Sequence, residues 1–95
     1  IVAVLTDGPR APHNMTLRDN GDGTKRLVWE NSLDAVNYIV ALRPLTSLVY
    51  QQFTVTQNLV DWDGFSPERF NAVAVVAVDA SGLMGPPSPE YIISP

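Results

Sequence analysis

The feature that most constrains this chain is an uncharged, largely β-branched stretch in its C-terminal third. Residues 71–78 read Asn-Ala-Val-Ala-Val-Val-Ala-Val, and the next charge comes at Asp79. A strand normally buries one side of its pleat, but here both sides are apolar, which is typical of a central strand. Turn-forming residues follow at once, among them Gly82 and Gly85. The stretch therefore predicts the central strand of an antiparallel sandwich, followed by a hairpin and an edge strand.

Six further stretches carry a similar signal, since each contains β-branched, aromatic or other apolar residues and is bounded by turn residues. The third strand shows it most clearly, because Tyr38, Val40 and Leu42 alternate along it and Pro44 ends it. No stretch has the spacing of an amphipathic helix. We therefore predict an all-β fold, a seven-stranded antiparallel immunoglobulin-like β-sandwich. Besides 71–78, the predicted strands are 12–18, 24–30, 36–43, 48–55, 58–62 and 90–93.

Length, charge and composition limit the classes of function. The chain has 95 residues, 45% of them hydrophobic, which suits one domain: we predict a linker or N-terminal arm over 1–8 and the domain over 9–95. A net charge of −4 argues against nucleic-acid binding and against binding to anionic membranes. The apolar runs are too short to span a bilayer. The chain has no cysteine, which excludes disulfides and thiol catalysis.

Catalytic chemistry has few candidate residues. The only histidine is His13, whereas a catalytic triad or a zinc centre needs a histidine placed beside further reactive groups or ligands. Asp61 and Asp63 share one side of a predicted strand, but we interpret them as charges that solubilise its end rather than as a glycosidase pair. We therefore predict no catalytic residue, no metal and no cofactor.

Two local motifs are better explained by turns and by chance than by function. Residues 19–23 resemble part of a calcium loop, but that register would place Arg18 and Trp29 at ligand positions. A hairpin turn is the favoured interpretation, because Asn-Gly and Asp-Gly accept positive φ at little cost. Asn14-Met15-Thr16 matches a glycosylation sequon, which matters only in a eukaryotic secretory pathway.

An ordered set of residues resembles the fibronectin type III domain over about residues 9–94. The set comprises Pro12, Leu27, Trp29, Tyr38, Val40, Leu42, Arg43, Phe65-Ser-Pro67, Ala77-Val-Asp79, Gly82 and Gly85-Pro-Pro-Ser88. One position departs from the family pattern, because the tyrosine expected six residues after Phe65 is Asn71, with Phe70 beside it. Either Asn71 makes the backbone bond of that tyrosine, or the crossover is displaced by one residue.

The resemblance implies a role as a module of a larger protein. Type III domains are mostly non-catalytic, and in bacteria they often accompany secreted hydrolases. Residues 38–88 are similar to the type III domains at the ends of bacterial zinc peptidases. We therefore expect a non-catalytic accessory or interaction module of a larger secreted or periplasmic protein, such as a peptidase or another hydrolase. The alternative is an adhesive or receptor-type recognition module that binds proteins through loops such as 79–86. That turn lacks Arg-Gly-Asp, so integrin binding by this route is not supported.

Successive residues of a strand point to opposite sides of the sheet, and we call this alternation strand parity. It predicts an unusual surface on the sheet formed by the third, fourth, sixth and seventh strands. If Tyr38 and Val75 face the core, every second residue of each strand, starting from their immediate neighbours, faces outward, and most of these residues are also apolar. An exposed apolar patch of this kind usually marks a partner site. We expect it to dock on a domain of the parent protein or on another protein; a second copy of the chain is the alternative. The predicted protein-binding residues are Ile39, Ala41, Ala74, Val76 and Ile92.

Overall fold

The computed structural model describes residues 8–93; residues 1–7 and 94–95 lie outside the described part of the chain. Within residues 8–93 there are eight strands and no helix, which confirms the all-β sandwich. The strands are β1 Thr16–Asp19, β2 Lys25–Val28, β3 Ala35–Pro44, β4 Gln51–Val55, β5 Leu59–Trp62, β6 Phe70–Asp79, β7 Met84–Pro87 and β8 Tyr91–Ile92. The count exceeds the expected seven because residues 84–87, which the sequence pattern assigned to turns, form β7 ahead of the expected last strand.

The strands form two antiparallel sheets. The smaller has the order β1-β2-β5, and the larger has the order β4-β3-β6-β7, with β8 also paired to β6. The larger sheet contains the strands that strand parity assigned to it. Its centre is the β3–β6 ladder, in which Tyr38 lies opposite Ala77 and Val40 lies opposite Val75. These two ten-residue strands are apolar on both sides, as expected of the middle of a sheet.

The core lies between the sheets and follows the predicted parity. Leu27 and Trp29 enter it from the smaller sheet, and Tyr38, Val40 and Val75 enter it from the larger one. The rings of Trp29 and Tyr38 meet edge to face with centroids 5.2 Å apart. This is the favoured geometry for buried aromatic pairs. Strand parity was therefore correct through the middle of both sheets.

Two strands begin later than expected, each because a turn precedes them. β1 begins at Thr16 rather than at residue 12, since Asn14 has a left-handed backbone with φ 56°. β4 begins at Gln51 rather than at residue 48, after a turn in which the Val49 N–H donates to Ser47 Oγ over 3.0 Å. The apolar residues before β4 are consequently solvent-exposed loop residues.

The crossover from β5 to β6 is displaced by one residue relative to the expectation. Phe70, with 2% of its surface exposed, takes the buried position, and Asn71 is half-buried rather than inward-facing. The cause is a register shift in the β3–β6 ladder, where Arg43 pairs with Ala72 but Pro44 pairs with Phe70. Asn71 therefore does not stand in for the family's tyrosine; Phe70 fills the space beneath the crossover.

The last edge is divided at residues 88–90, between the end of β7 and the start of β8. Pro86 and Pro87 lack the N–H that a strand interior supplies, so they are tolerated only at an edge. Ser88 then bonds to Val75 from both its side chain and its backbone: Oγ accepts the Val75 N–H over 2.9 Å, and its own N–H donates to the Val75 carbonyl over 2.8 Å. β8 resumes pairing after this break.

The first described residues run along β7. A Cβ on Gly85 would lie 1.9 Å from the carbonyl oxygen of Pro9, and a Cβ on Gly8 would lie 2.3 Å from the backbone nitrogen of Gly85. Only glycine permits so close an approach between two backbones. Pro9 is buried by this contact. The chain therefore covers the β7 edge with its own N-terminal segment.

Candidate functional site: the outer face of the larger sheet

The five predicted binding residues share one face of the larger sheet, which we call the outer face. Antiparallel partners lie on the same side of a sheet, and Ile39 pairs with Val76 while Ala41 pairs with Ala74. Ile92 of β8 pairs with Ala72, which is two residues along β6 from Ala74 and so has the same orientation.

The exposure of these five residues differs from the expectation at one position. Ile92 is 59% exposed, and Ile39, Ala41 and Val76 are half-buried. Ala74 is only 6% exposed, so the expectation that it lies in an open patch was wrong. Its side chain is a single methyl group, which longer neighbouring side chains can cover.

A polar cluster crosses the outer face near Ala74. Arg43 donates to Glu90 through Nε and Nη2, each over 3.1 Å, and the Tyr50 hydroxyl donates to the same carboxylate over 2.5 Å. Arg43 pairs with Ala72, and Glu90 immediately precedes the residue that pairs with Val73. The cluster therefore crosses the alanines of β6, joining β3 and the residue before β4 to the residue before β8. It separates Ile92 from Ile39 and Val76.

The three members of this cluster perturb one another's ionisation. The Arg43 guanidinium, helped by the Tyr50 hydroxyl, holds the pKa of the Glu90 carboxyl below its usual range. The same hydrogen bond to Glu90 raises the pKa of Tyr50. The sequence analysis did not identify this cluster, because the meeting of Arg43 with Glu90 and Tyr50 depends on the register between strands.

The apolar part of the outer face extends toward β7. Pro87 lies opposite Val76, and Met84 lies opposite Val78 with 60% of its surface exposed. On the other side, Thr54 lies opposite Ile39, and Gln52 lies opposite Ala41. Beyond the Arg43–Glu90 pair, this part of the outer face is uncharged, and its apolar centre is formed by Ile39, Val76, Pro87 and Met84.

The residues considered for catalysis are not brought together. His13 pairs with the exposed Glu30, with Nε2 2.9 Å from Oε1, beside a groove of about 190 Å³. Asp61 is paired with Arg26 over 2.9 and 3.0 Å, which lowers the pKa of its carboxyl to about 2. A carboxyl with so low a pKa is a poor general acid. Among residues 8–93, no cluster of histidine and acidic side chains could hold a metal ion.

The aspartates of the turn at residues 19–23 accept hydrogen bonds from backbone N–H groups of the same turn or of the residue that follows it. Asp19 accepts the Gly21 N–H over 2.8 Å, and Asp22 accepts the Thr24 N–H over 3.0 Å. Gly21 and Gly23 have φ values of 85° and 95°. These contacts confirm the hairpin turn between β1 and β2 in place of a calcium loop.

Neither tryptophan presents a free ring face. Trp29 lies in the core. Trp62 is half-buried and is surrounded edge-on by Phe53 and Phe65, with centroids 5.3 and 5.1 Å away. The Arg69 guanidinium lies 5.7 Å from its ring centroid. Packing therefore accounts for both rings.

The loop end of the sandwich also exposes apolar side chains. Leu33 and Leu83 lie in the loops after β2 and after β6, and both are exposed. Nearby, Asp34, Val36 and Asp79 line an open cleft of about 540 Å³. The Asp79 carboxylate accepts hydrogen bonds from Ser81 and from the Leu83 N–H, which lower its pKa and hold the turn closed. This end is the second surface that a protein could contact.

Comparison with known proteins identifies the fold. The crystal structure of a Fn3-like protein from Clostridium thermocellum superposes with a TM-score of 0.69 and 22% sequence identity, covering 88% of this chain and 90% of that chain. No family model and no curated protein sequence matches the chain. The fold is that of a fibronectin type III domain, as the sequence resemblance implied. In the described residues 8–93, no helix has the length and apolar character needed to cross a membrane.

Proposed function

We propose that the chain is a non-catalytic accessory module of a larger secreted or periplasmic protein, and that it docks on a domain of that protein through the outer face. The observation that carries this is the uncharged patch beside the Arg43–Glu90 pair, with Ile39 and Val76 at its centre. A sandwich sheet that faces only solvent normally alternates apolar and polar residues. Here the outward positions of the two central strands are mainly valine, isoleucine and alanine.

The chemistry of the parent protein follows from the sequence resemblance alone. Type III domains of this kind accompany secreted hydrolases, and we propose a peptidase or another hydrolase as the parent. The net charge of −4 supports a protein partner rather than nucleic acid or an anionic membrane. The Asp61 pair and the exposed His13 support a non-catalytic role, because neither forms part of a reactive cluster.

The test is a charge placed at the centre of the outer face. Val76→Lys should weaken the association between this domain and the rest of the parent protein by at least about tenfold, which corresponds to about 1.4 kcal/mol. Binding can be measured by calorimetry between the separately produced parts. Val28→Lys is a matched control, because Val28 is half-buried on the smaller sheet and pairs with the exposed Thr16. Unchanged association in a folded Val76→Lys protein would remove the proposal.

The second candidate is an adhesive or receptor-type module that binds a protein through its loop end. It is favoured by the exposure of Leu33 and Leu83, which lie in the two loops nearest the cleft beside Asp79. Replacing both leucines with serine separates the two functions. Loss of partner binding in Leu33→Ser/Leu83→Ser, with normal binding in Val76→Lys, would assign recognition to the loops.

A further inference from the structure

The four sheet edges of this sandwich are protected very unequally. A free edge can pair with another chain, and proteins usually prevent this with charges, prolines, bulges or covering segments. β7 has Pro86 and Pro87, and Gly8 and Pro9 run along it. The edges of the smaller sheet carry charge: Arg18 and Asp19 in β1, and Asp61 in β5.

Among residues 8–93, nothing gives β4 any of these protections. It is the terminal strand of the larger sheet, and it pairs with β3 in an unbroken register from Gln51 to Val55. Residues 45–60 contain no charged residue, no proline and no glycine. No backbone hydrogen bond outside the β3–β4 ladder involves Gln51–Val55 among residues 8–93. β4 is therefore a regular, neutral strand with one side of its backbone unpaired.

The strand is also complementary to itself. When two copies of β4 are placed antiparallel about Phe53, Gln52 of each lies opposite Thr54 of the other, and Gln51 lies opposite Val55. Gln52 and Thr54 are exposed on the outer face, where a hydroxyl and an amide can form hydrogen bonds and no like charges meet. Phe53 is half-buried at the rim of the core, with its ring centroid 5.3 Å from that of Trp62. The same arrangement would place the two phenylalanines against each other.

The loop before this edge adds apolar surface. Leu48 is 98% exposed and Val49 is 74% exposed, and Tyr50 is held at the start of β4 by Glu90. In the antiparallel arrangement, Val49 of one copy would approach Gln57 of the other, near the turn that follows β4. The exposed loop would then be partly covered by the second copy.

We propose that two copies of this chain pair through β4, antiparallel and edge to edge, so that their larger sheets become one continuous sheet. The contact is two-fold symmetric, as expected of a homodimer built from one self-complementary patch. It uses the edge of the sheet, so it is independent of docking through the outer face. Backbone hydrogen bonds provide the attraction, and the pairing of Gln52 with Thr54 sets the register.

The test is the oligomeric state of the chain, measured by sedimentation velocity from micromolar to about 1 mM, because a small interface of this kind is expected to be weak. Thr54→Lys should weaken self-association about threefold or more, since it removes the hydroxyl that faces Gln52 of the other copy and the two added ammonium groups lie diagonally across the two-fold axis. Gln52→Glu/Thr54→Lys should restore it, because each new carboxylate then faces a new ammonium group of the other copy. Thr16→Lys is the matched control on the exposed edge of the smaller sheet and should change nothing.

The effect of Val76→Lys on self-association distinguishes pairing through the β4 edge from association through the outer face. Val76 lies at the centre of the outer face, on β6, with β3 between it and the free edge. Self-association that is unchanged in Val76→Lys and weakened in Thr54→Lys supports the edge contact. A chain that stays monomeric at about 1 mM, a dimer that Val76→Lys dissociates, or a Thr54→Lys protein that still associates normally would overturn it. Binding of another protein's strand at a β4 edge that remains monomeric would likewise overturn self-pairing.

Discussion

Truncation of Phe70 is the sharpest test of how the crossover is packed. The ring has 2% of its surface exposed and lies 6.0 Å from the ring of Trp62, measured between centroids. Deleting a fully buried phenylalanine ring typically costs about 3–5 kcal/mol. The total stability of a domain of this size is about 5–15 kcal/mol. Phe70→Ala should therefore remove a large share of the stability and lower the Tm by more than about 12 °C.

Asn71→Ala is the matched control, since the two residues are adjacent and the sequence pattern assigned Asn71 to the core. Asn71 is half-buried, and none of the side-chain hydrogen bonds among residues 8–93 involves it. Its truncation should cost less than about 1 kcal/mol. Urea unfolding followed by the fluorescence of Trp29 and Trp62 measures both values. A loss for Asn71→Ala equal to that for Phe70→Ala would refute the displaced crossover.

Three further outcomes are expected. Gly85→Ala should destabilise the domain by about 1–3 kcal/mol in thermal unfolding, because the new methyl group meets the Pro9 carbonyl backbone 1.9 Å away; an unchanged Tm would contradict that contact. Asp61→Asn should lower the free energy of unfolding at neutral pH, but near pH 2 its stability should equal that of the unsubstituted chain. The pKa of Asp61 in the folded state is depressed from 3.8 to about 2, so its pair with Arg26 stabilises the fold above about pH 4 and loses this effect as the pH falls. Glu90→Gln should return the pKa of Tyr50 toward 10.0 in an ultraviolet titration, with Tyr50→Phe identifying the signal, and should cost less than about 1 kcal/mol. A Tyr50 pKa that stays raised would contradict the polar cluster.

The fold could be predicted because it depends on local, periodic signals. The alternation of Tyr38, Val40 and Leu42 and the two-sided apolar character of 71–78 each specify a strand, and parity then specifies which residues enter the core. The hairpin turn at 19–23 was equally local, because positive φ at its glycines is a property of the residues themselves.

The failed expectation at the crossover involves a change of register. A bulge of one residue moved Phe70 into the core and Asn71 out of it. Bulges cannot be recognised from alternation when both sides of a strand are apolar, because the pattern looks the same in either phase. The division of the last edge into β7 and β8 depends on Ser88 meeting Val75, which are distant in sequence.

The candidate site could likewise be predicted only in part from the sequence. Sequence parity placed Ile39, Ala41, Ala74, Val76 and Ile92 on one face, and the ladder puts them there. Which of them reach solvent was decided by side chains from other strands, since Arg43, Tyr50 and Glu90 meet across the alanines of β6. Their meeting could not be inferred from spacing along the chain.

By itself, then, the sequence determined the strands, the inward residues of their central parts and the absence of charge from residues 45–60. The tertiary structure alone decided that β4, within this neutral segment, is a sheet edge with one side unpaired among residues 8–93, that Ala74 is covered and that Phe70 closes the crossover. The physical reason is the range of the interactions. Side-chain alternation and turn preferences act between neighbours in the chain, whereas edge position, register and coverage depend on which distant strands pair.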